Sequence, residues 1–211
     1  MKNLNIRKID PKRPGEKLIK MTAEILEKGG IIAAPTETQY GLLGRIDRTE
    51  TVNRLYEMKK RPETMATAIF VRSKENIKNF GMETEISKKL AEDFLPGPMT
   101  LVLENKSNFA PPIVVNNKIG IRCSSSPFIE NLLSSIDFNL TATSANISGG
   151  SELNSADEIA HTFGDDVDLY LDAGCLDSLP STVVECIGDS FSILRHGIIS
   201  KERINKSLAG I

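Results

Sequence analysis

The stretch Ile31-Ile32-Ala33-Ala34-Pro35-Thr36-Glu37-Thr38-Gln39-Tyr40-Gly41 constrains this chain more than any other. Its apolar half reads as a buried strand, and Pro35 stops regular pairing. Directly behind stand two hydroxyls, a carboxylate, an amide and a phenol, closed by a glycine. Open α/β sheets hold ligands beyond the carboxyl ends of their strands, and this strand runs straight into polar side chains. There is also a plainer reading, a Thr-rich turn whose hydroxyls serve nearby backbone groups. The choice depends on whether matching basic and polar groups occur elsewhere.

Composition narrows the classes. At 211 residues the chain can bury a sizeable core and is expected to form one domain spanning 1–211. Lys and Arg total 26 against 28 Asp and Glu, so no global basic field exists for coating nucleic acid, although a local patch could bind phosphate. Hydrophobic content of 40% and charged content of 26% suit a soluble globular domain. Cys123, Cys175 and Cys186 are too scattered for a disulfide framework or a zinc site and read as reduced cytosolic thiols. No apolar segment spans a bilayer, and the charged start Met1 to Lys8 lacks the apolar region of a secretion signal. A cytoplasmic location is expected.

Along the chain, the patterns predict a short edge strand at Leu4 to Ile9 and a helix after Pro14-Gly15 that Gly29-Gly30 ends. A second extended piece is expected at Leu42 to Ile46, then a helix capped by Asp47 or Thr49. Strands are expected at Ala66–Val71, Met99–Leu103, Lys118–Arg122, Val167–Leu171, Ser181–Cys186 and Phe191–Leu194. Helices are expected around Glu75–Phe80, Glu85–Phe94, from Pro127 with Ser126 as cap, from Ser155 or Asp157, and from Ser200 over Lys201 to Leu208. Strands without consistent intervening helices imply a mixed sheet.

Two further stretches carry polar chemistry. Lys59-Lys60-Arg61-Pro62 ends a helix, where cations offset the negative end of the macrodipole. A point charge and a fork at Lys59 and Arg61 also make a workable phosphate grip. Thr141-Ala142-Thr143-Ser144-Ala145-Asn146-Ile147-Ser148-Gly149-Gly150 reads either as an ordinary Ser/Gly turn or as a loop holding phosphate or ribose through neutral hydrogen bonds. Neither a Walker loop nor a dinucleotide fingerprint occurs. Arg122 stands at a strand end, as a surface ion pair or a ligand clamp.

Seven segments in one order carry a resemblance: Pro35–Leu42, Lys59–Pro62, Leu95–Leu103, Ile121-Arg122, Thr143–Gly149, Ser181–Val184 and Leu194-Arg195. Together they resemble the YrdC family, the threonylcarbamoyl-AMP synthases of tRNA modification, in its short form. The resemblance implies an α/β fold of the YrdC/RibB-like kind, a twisted mixed β-sheet flanked by helices around a central basic cavity. There ATP, L-threonine and bicarbonate would give threonylcarbamoyl-AMP and pyrophosphate with Mg²⁺. A separate tRNA-modifying transferase would take the product onward, and double-stranded RNA is a further partner the family suggests. Carried over by position, Lys59, Arg61, Ser144 and Asn146 are the catalytic candidates. Lys59, Arg61, Lys118, Ser144, Asn146 and Arg195 fall on the ATP side, and Thr36, Thr38, Arg122, Ala142 and Ser181 on the threonine side.

These residue types fit the chemistry. Two anions, a carbamate and a triphosphate, must meet, so positioning and charge neutralisation are the main needs. Arg122 suits a carboxylate through a bidentate pair. The chain also departs from the family pattern: Met65 replaces a usual Asn, Phe70 a His, Leu43 a Gly and His196 a Pro. The first two changes are expected to remove polar contacts from the ATP and threonine sides, and they resemble the YciO-like paralogues. A non-catalytic RNA-binding module is the alternative of another class. The acidic balance and 5% aromatic content weigh against it, since readers of single-stranded RNA need stacking platforms.

Overall fold

A computed structural model describes residues 4–210. Eleven strands form one mixed sheet: β1 Ile6–Lys8, β2 Ile32–Pro35, β3 Tyr40–Leu43, β4 Ala68–Phe70, β5 Gly81–Met82, β6 Met99–Asn105, β7 Lys118–Arg122, β8 Leu140–Ser144, β9 Leu169–Asp172, β10 Thr182–Ile187 and β11 Ser190–Arg195. Six α-helices accompany them: α1 Glu16–Glu27, α2 Thr49–Met58, α3 Glu85–Phe94, α4 Pro127–Ser134, α5 Ala156–Phe163 and α6 Lys201–Leu208. The strand order is β1-β9-β2-β3-β8-β4-β7-β6-β10-β11, with β5 added beside β6. Parallel pairs (β1 with β9, β9 with β2, β4 with β7, β6 with β10) alternate with antiparallel ones, as expected for a mixed sheet.

Strand β8 joins the two halves. Leu140, Thr141 and Ala142 pair with Phe70, Ile69 and Ala68 of β4, while Thr143 and Ser144 pair with Leu42 and Gly41 of β3. In the β4-to-β11 half the period-two alternation of strands separates two faces. Ile69, Leu101, Leu103, Ile119, Ile121 and Val184 enter a core that also takes Leu90 and Ala91 of α3 and Ile204 of α6. Their neighbours Phe70, Thr100, Val102, Lys118, Gly120, Arg122, Val183 and Glu185 line an open hollow. A second core packs Ile19 and Leu26 of α1 and Phe128, Ile129 and Leu132 of α4 against β2 and β9. One face of this half is therefore oily and helix-covered, while the other remains wettable.

Several local expectations change. The stretch from Thr141 to Ser144 is a strand rather than a loop; its small polar residues belong to a strand with one face on the hollow. Helix α2 has Arg48 at its N-cap with no side-chain bond, because Arg45 takes both Asp47 carboxylate oxygens at 2.6 Å and Thr49 is already helical. Ser126 precedes α4 without a capping bond, and its hydroxyl is buried without a partner. Ser155 caps α5, Ser200 caps α6 over the expected span, and the two-residue β5 was unforeseen.

Candidate active site

The hollow has a volume of about 530 Å³ and is walled by β4, β6, β7, β8, β10, β11 and the turn after β2. In that turn Thr36 donates through both its N–H (3.2 Å) and its hydroxyl (2.7 Å) to the carbonyl of Gln39. The plainer reading is therefore right for the Thr36 hydroxyl, which the turn itself consumes. Thr38 differs: its hydroxyl accepts from Arg122 Nη2 at 2.8 Å. Gln39 and Tyr40 tie the turn across to the 173–181 segment, through Gln39 Nε2 to the Ser178 carbonyl (3.0 Å) and Tyr40 OH to the Gly174 carbonyl (2.8 Å).

Arg122 ends β7 in a nearly closed ion pair. Its Nη2 also donates to Glu37 Oε1 at 2.9 Å, and Ser124 Oγ donates to the other Glu37 oxygen. The two charged side chains are 10% and 12% exposed. Both Nη2 protons are thus committed, while Nε–H is buried without a partner. Either two-pronged edge of a guanidinium includes this Nη beside Nε or Nη1. The bidentate grip expected of Arg122 is therefore not preformed, and a carboxylate meets single donors unless Thr38 or Glu37 yields.

Across the hollow, Arg195 at the end of β11 donates through Nε and Nη2 to the Ser181 carbonyl (3.1 and 3.0 Å) and through Nη2 to Ser181 Oγ (2.9 Å). Ser181 Oγ lies 3.1 Å from Thr100 Oγ1. This close docking needs Gly197, since a Cβ there would stand 2.2 Å from the Pro180 carbonyl. Loss of hydration and the fields of Arg122 and Arg61 lower the Arg195 proton affinity. Much of its surface stays open to the hollow, so the direction alone is meaningful.

Helix α2 delivers Arg61 through a Schellman closure. Lys60 takes φ 49°, its N–H bonds Glu57 O, and Arg61 N–H returns to Tyr56 O at 2.9 Å. Arg61 then holds the Met65 and Ala66 carbonyls through Nε and Nη2 (3.0 and 2.7 Å) and reaches the hollow. Lys59 goes the other way. It is 1% exposed, lies outside the hollow's wall, and donates through Nζ to the Ser144 and Asn146 carbonyls. Burial and the adjacent Arg61 bring its pKa down to about 7. Asn146 is also off the wall; it accepts from Ser144 Oγ at 2.5 Å and donates to the Ile147 and Gly150 carbonyls.

The hollow therefore gathers Thr36, Thr38, Arg61, Lys118, Arg122, Ala142, Ser144, Ser181 and Arg195, while Lys59 and Asn146 brace it from behind. Its charge balance is uneven. Lys118 pairs with Glu185 at 2.8 Å and Arg122 with Glu37. Among the described residues Arg61 and Arg195 have no carboxylate partner. Sequence reasoning missed Glu37, Ser124, Thr100 and Glu185 as working parts. Only Glu37 carried a signal, a carboxylate between two threonines in the opening motif.

The family model described as "Telomere recombination", that of Sua5, YciO and YrdC, matches residues 24–197. The chain belongs to the Sua5/YciO/YrdC family. A Methanocaldococcus jannaschii relative named as a threonylcarbamoyl-AMP synthase is 33% identical over 190 residues, covering 90% of each chain. Pyrococcus abyssi Sua5, solved in complex with L-threonine, superposes with a TM-score of 0.88 at 30% identity, covering 98% of this chain and 61% of that one. Escherichia coli YciO shares the fold with a TM-score of 0.87 at 23% identity, over 95% and 99% of the two chains. The chain thus spans nearly all of two relatives and about three-fifths of the third.

The departures from the Sua5/YciO/YrdC pattern have physical consequences here. Phe70 pairs with Arg122 across β4 and β7, and the guanidinium sits 5.3 Å from its ring centroid. The ring thus supports Arg122 by a cation–π contact instead of offering a polar group. Met65 leaves its side chain 49% exposed on the wall and contributes its carbonyl to Arg61 and Tyr56. Leu43 is fully buried in the α1–α4 core. His196 is exposed just past Arg195.

Proposed function

We propose that this chain is an L-threonylcarbamoyl-AMP synthase. It forms L-threonylcarbamoyl-AMP and pyrophosphate from L-threonine, bicarbonate or CO₂, and ATP, and so supplies threonylcarbamoyl modification of a tRNA adenosine. The observation that carries this reading is the convergence of Arg61, Arg122 and Arg195 on one hollow in which two of the three guanidiniums lack a carboxylate. Such a site is short of anions, and a triphosphate beside an amino-acid carboxylate supplies them. The volume falls within the range of pockets for nucleotide-sized ligands.

In the reaction the threonine amine adds to CO₂ and loses a proton to give a carbamate. A carbamate oxygen then bonds to the α-phosphorus of ATP as the bond to the bridging α–β oxygen breaks, and pyrophosphate leaves. Arg61 and Arg195 offset the triphosphate charge, while Thr38, Ser181 and the free N–H groups of Arg122 orient the amino acid. No side-chain nucleophile is needed; burial keeps the Cys123 and Cys186 thiols protonated, with pKa values of about 11 and 12. Among the described residues no three His, Cys, Asp or Glu side chains gather into a metal site. The protein's own donors therefore do not form a Mg²⁺ site, and the ion would travel on the phosphates. The product would pass to a transferase acting on tRNA.

The test is turnover with ATP, threonine and bicarbonate, each omitted in turn, with pyrophosphate and the adenylate measured together. Both products are expected only with all three substrates, and Arg61→Ala or Arg195→Ala should reduce turnover at least a hundredfold. Pyrophosphate release that ignores threonine would reject the substrate assignment.

A further inference from the structure

Lys59 is a buried amine that the reaction above leaves without a task. It is 1% exposed, and both groups that its Nζ meets are backbone carbonyls, those of Ser144 and Asn146. Its own carbonyl accepts from Ser148 N–H at 2.9 Å, so the residue grips the 144–148 turn from two sides. Arg61 is the one charged group that acts on it, and no carboxylate among the described residues offsets the pair. A neutral amine has two N–H groups for the two carbonyls. An ammonium has a third, which adds a buried positive charge beside a guanidinium. The empty hollow thus favours the neutral amine, and a polyanion next to Arg61 and Ser144 reverses that preference.

We propose that Lys59 is a positioning residue, not a phosphate ligand, and that it takes up a proton from solvent when a polyanionic nucleotide enters the hollow. The added charge strengthens both bonds to the β8 carbonyls and fixes the Ser144–Asn146 turn, where Ser144 faces the ligand and its hydroxyl is steered by Asn146 at 2.5 Å. The coupling is reciprocal: what the nucleotide does to the proton, the proton does to nucleotide affinity. This inference rests on the nucleotide reading of the site, and it adds a dependence on pH that phosphate contacts from always-charged arginines cannot produce.

The experiment is isothermal titration calorimetry of the whole chain with α,β-methylene-ATP, which cannot release pyrophosphate. It is run in buffers of differing ionisation enthalpy between pH 7 and 9. At pH 8 an amine with a pKa of about 7 is about one-tenth protonated, so uptake approaching one proton per nucleotide is expected, with affinity falling up to about tenfold per pH unit. Lys59→Met, which keeps the stem and loses the proton site, should bind with no such uptake and a flat pH profile. Should that variant not fold, ¹³Cε-lysine NMR of the wild-type chain makes the same test. One lysine should titrate near neutrality in the free protein and move upward with the analogue. Nucleotide binding without proton uptake, unchanged uptake in Lys59→Met, or no such titrating lysine overturns the proposal. Absence of any binding heat and of any nucleotide-induced spectral change instead rejects the nucleotide reading itself.

Discussion

Glu37→Ala removes one partner from the ion pair that holds Arg122 in place. With charge centres about 4 Å apart and an effective dielectric of about 20, the attraction is about 4 kcal/mol. The two side chains are only 10% and 12% exposed, so desolvation cancels much of that gain while both are present. Removing one leaves the other buried and unpaired, a loss of about 3–5 kcal/mol. Arg122 borders a wettable hollow, which places the expectation near the lower figure. For a denaturant dependence of about 3 kcal/mol per molar urea, the unfolding midpoint should fall by about 1 M. Glu37→Gln keeps the shape and one acceptor and should lose about 1–2 kcal/mol. Arg122→Met alone should be as damaging as Glu37→Ala, yet the Glu37→Gln/Arg122→Met double variant should recover part of the loss. Single effects that add to within about 0.5 kcal/mol would refute the pairing as the source of stability.

Lys59 should leave its mark on stability as well as on binding. From about pH 7 to 10.5 the unfolded chain keeps a proton there that the folded chain has released, so this group makes stability rise with pH across that window and adds no slope below it. Urea melts at pH 7, 8 and 9 should show the rise in the wild-type chain and lose it in Lys59→Met. Gly120→Val places a side chain on the floor of the hollow, where even a Cβ stands 2.9 Å from Ala68 Cβ. It should cost about 1–3 kcal/mol by denaturation and weaken nucleotide binding in a titration. Lys60 takes a left-handed conformation at φ 49°, so Lys60→Gly should raise stability by up to about 1 kcal/mol in urea melts with turnover unchanged.

The contrast between Lys59 and Arg61 shows what the sequence could disclose. Two cations two apart at a helix end look like a single grip, and composition supports that reading as well as any other. The left-handed Lys60 between them reverses the chain, so one side chain goes into the hollow and the other behind it. Helix α6 was legible because its signals are local: Ser200 bonds Arg203 N–H three residues on, and Ile204 falls on the buried face. Strand β8 was hidden because half its surroundings are the hollow itself. Threonine, alanine and serine suit such a face, and they equally suit a loop.

Arg122 illustrates the remaining gap, which concerns donor capacity and not residue type. Its arrival at the hollow followed from period-two alternation along β7, with Ile119 and Ile121 taking the core. Its committed protons did not, because Glu37 lies 85 residues away and meets it only through the turn after β2. An arginine already committed at Nη2 recognises an anion differently from a free one: it offers separate single donors, and a neighbouring carboxylate already offsets its charge. Arg61 and Arg195 keep their full charge for the ligand. The site thus divides its cations by task, with the unpaired guanidiniums available to a triphosphate and the paired one restrained enough to orient a small zwitterion without trapping it. A fully unpaired Arg122 would bind any passing carboxylate or phosphate. The Glu37 pair therefore contributes to selectivity as well as to stability, and the same Glu37 variants that lower the urea midpoint should blunt discrimination between threonine and other small carboxylates.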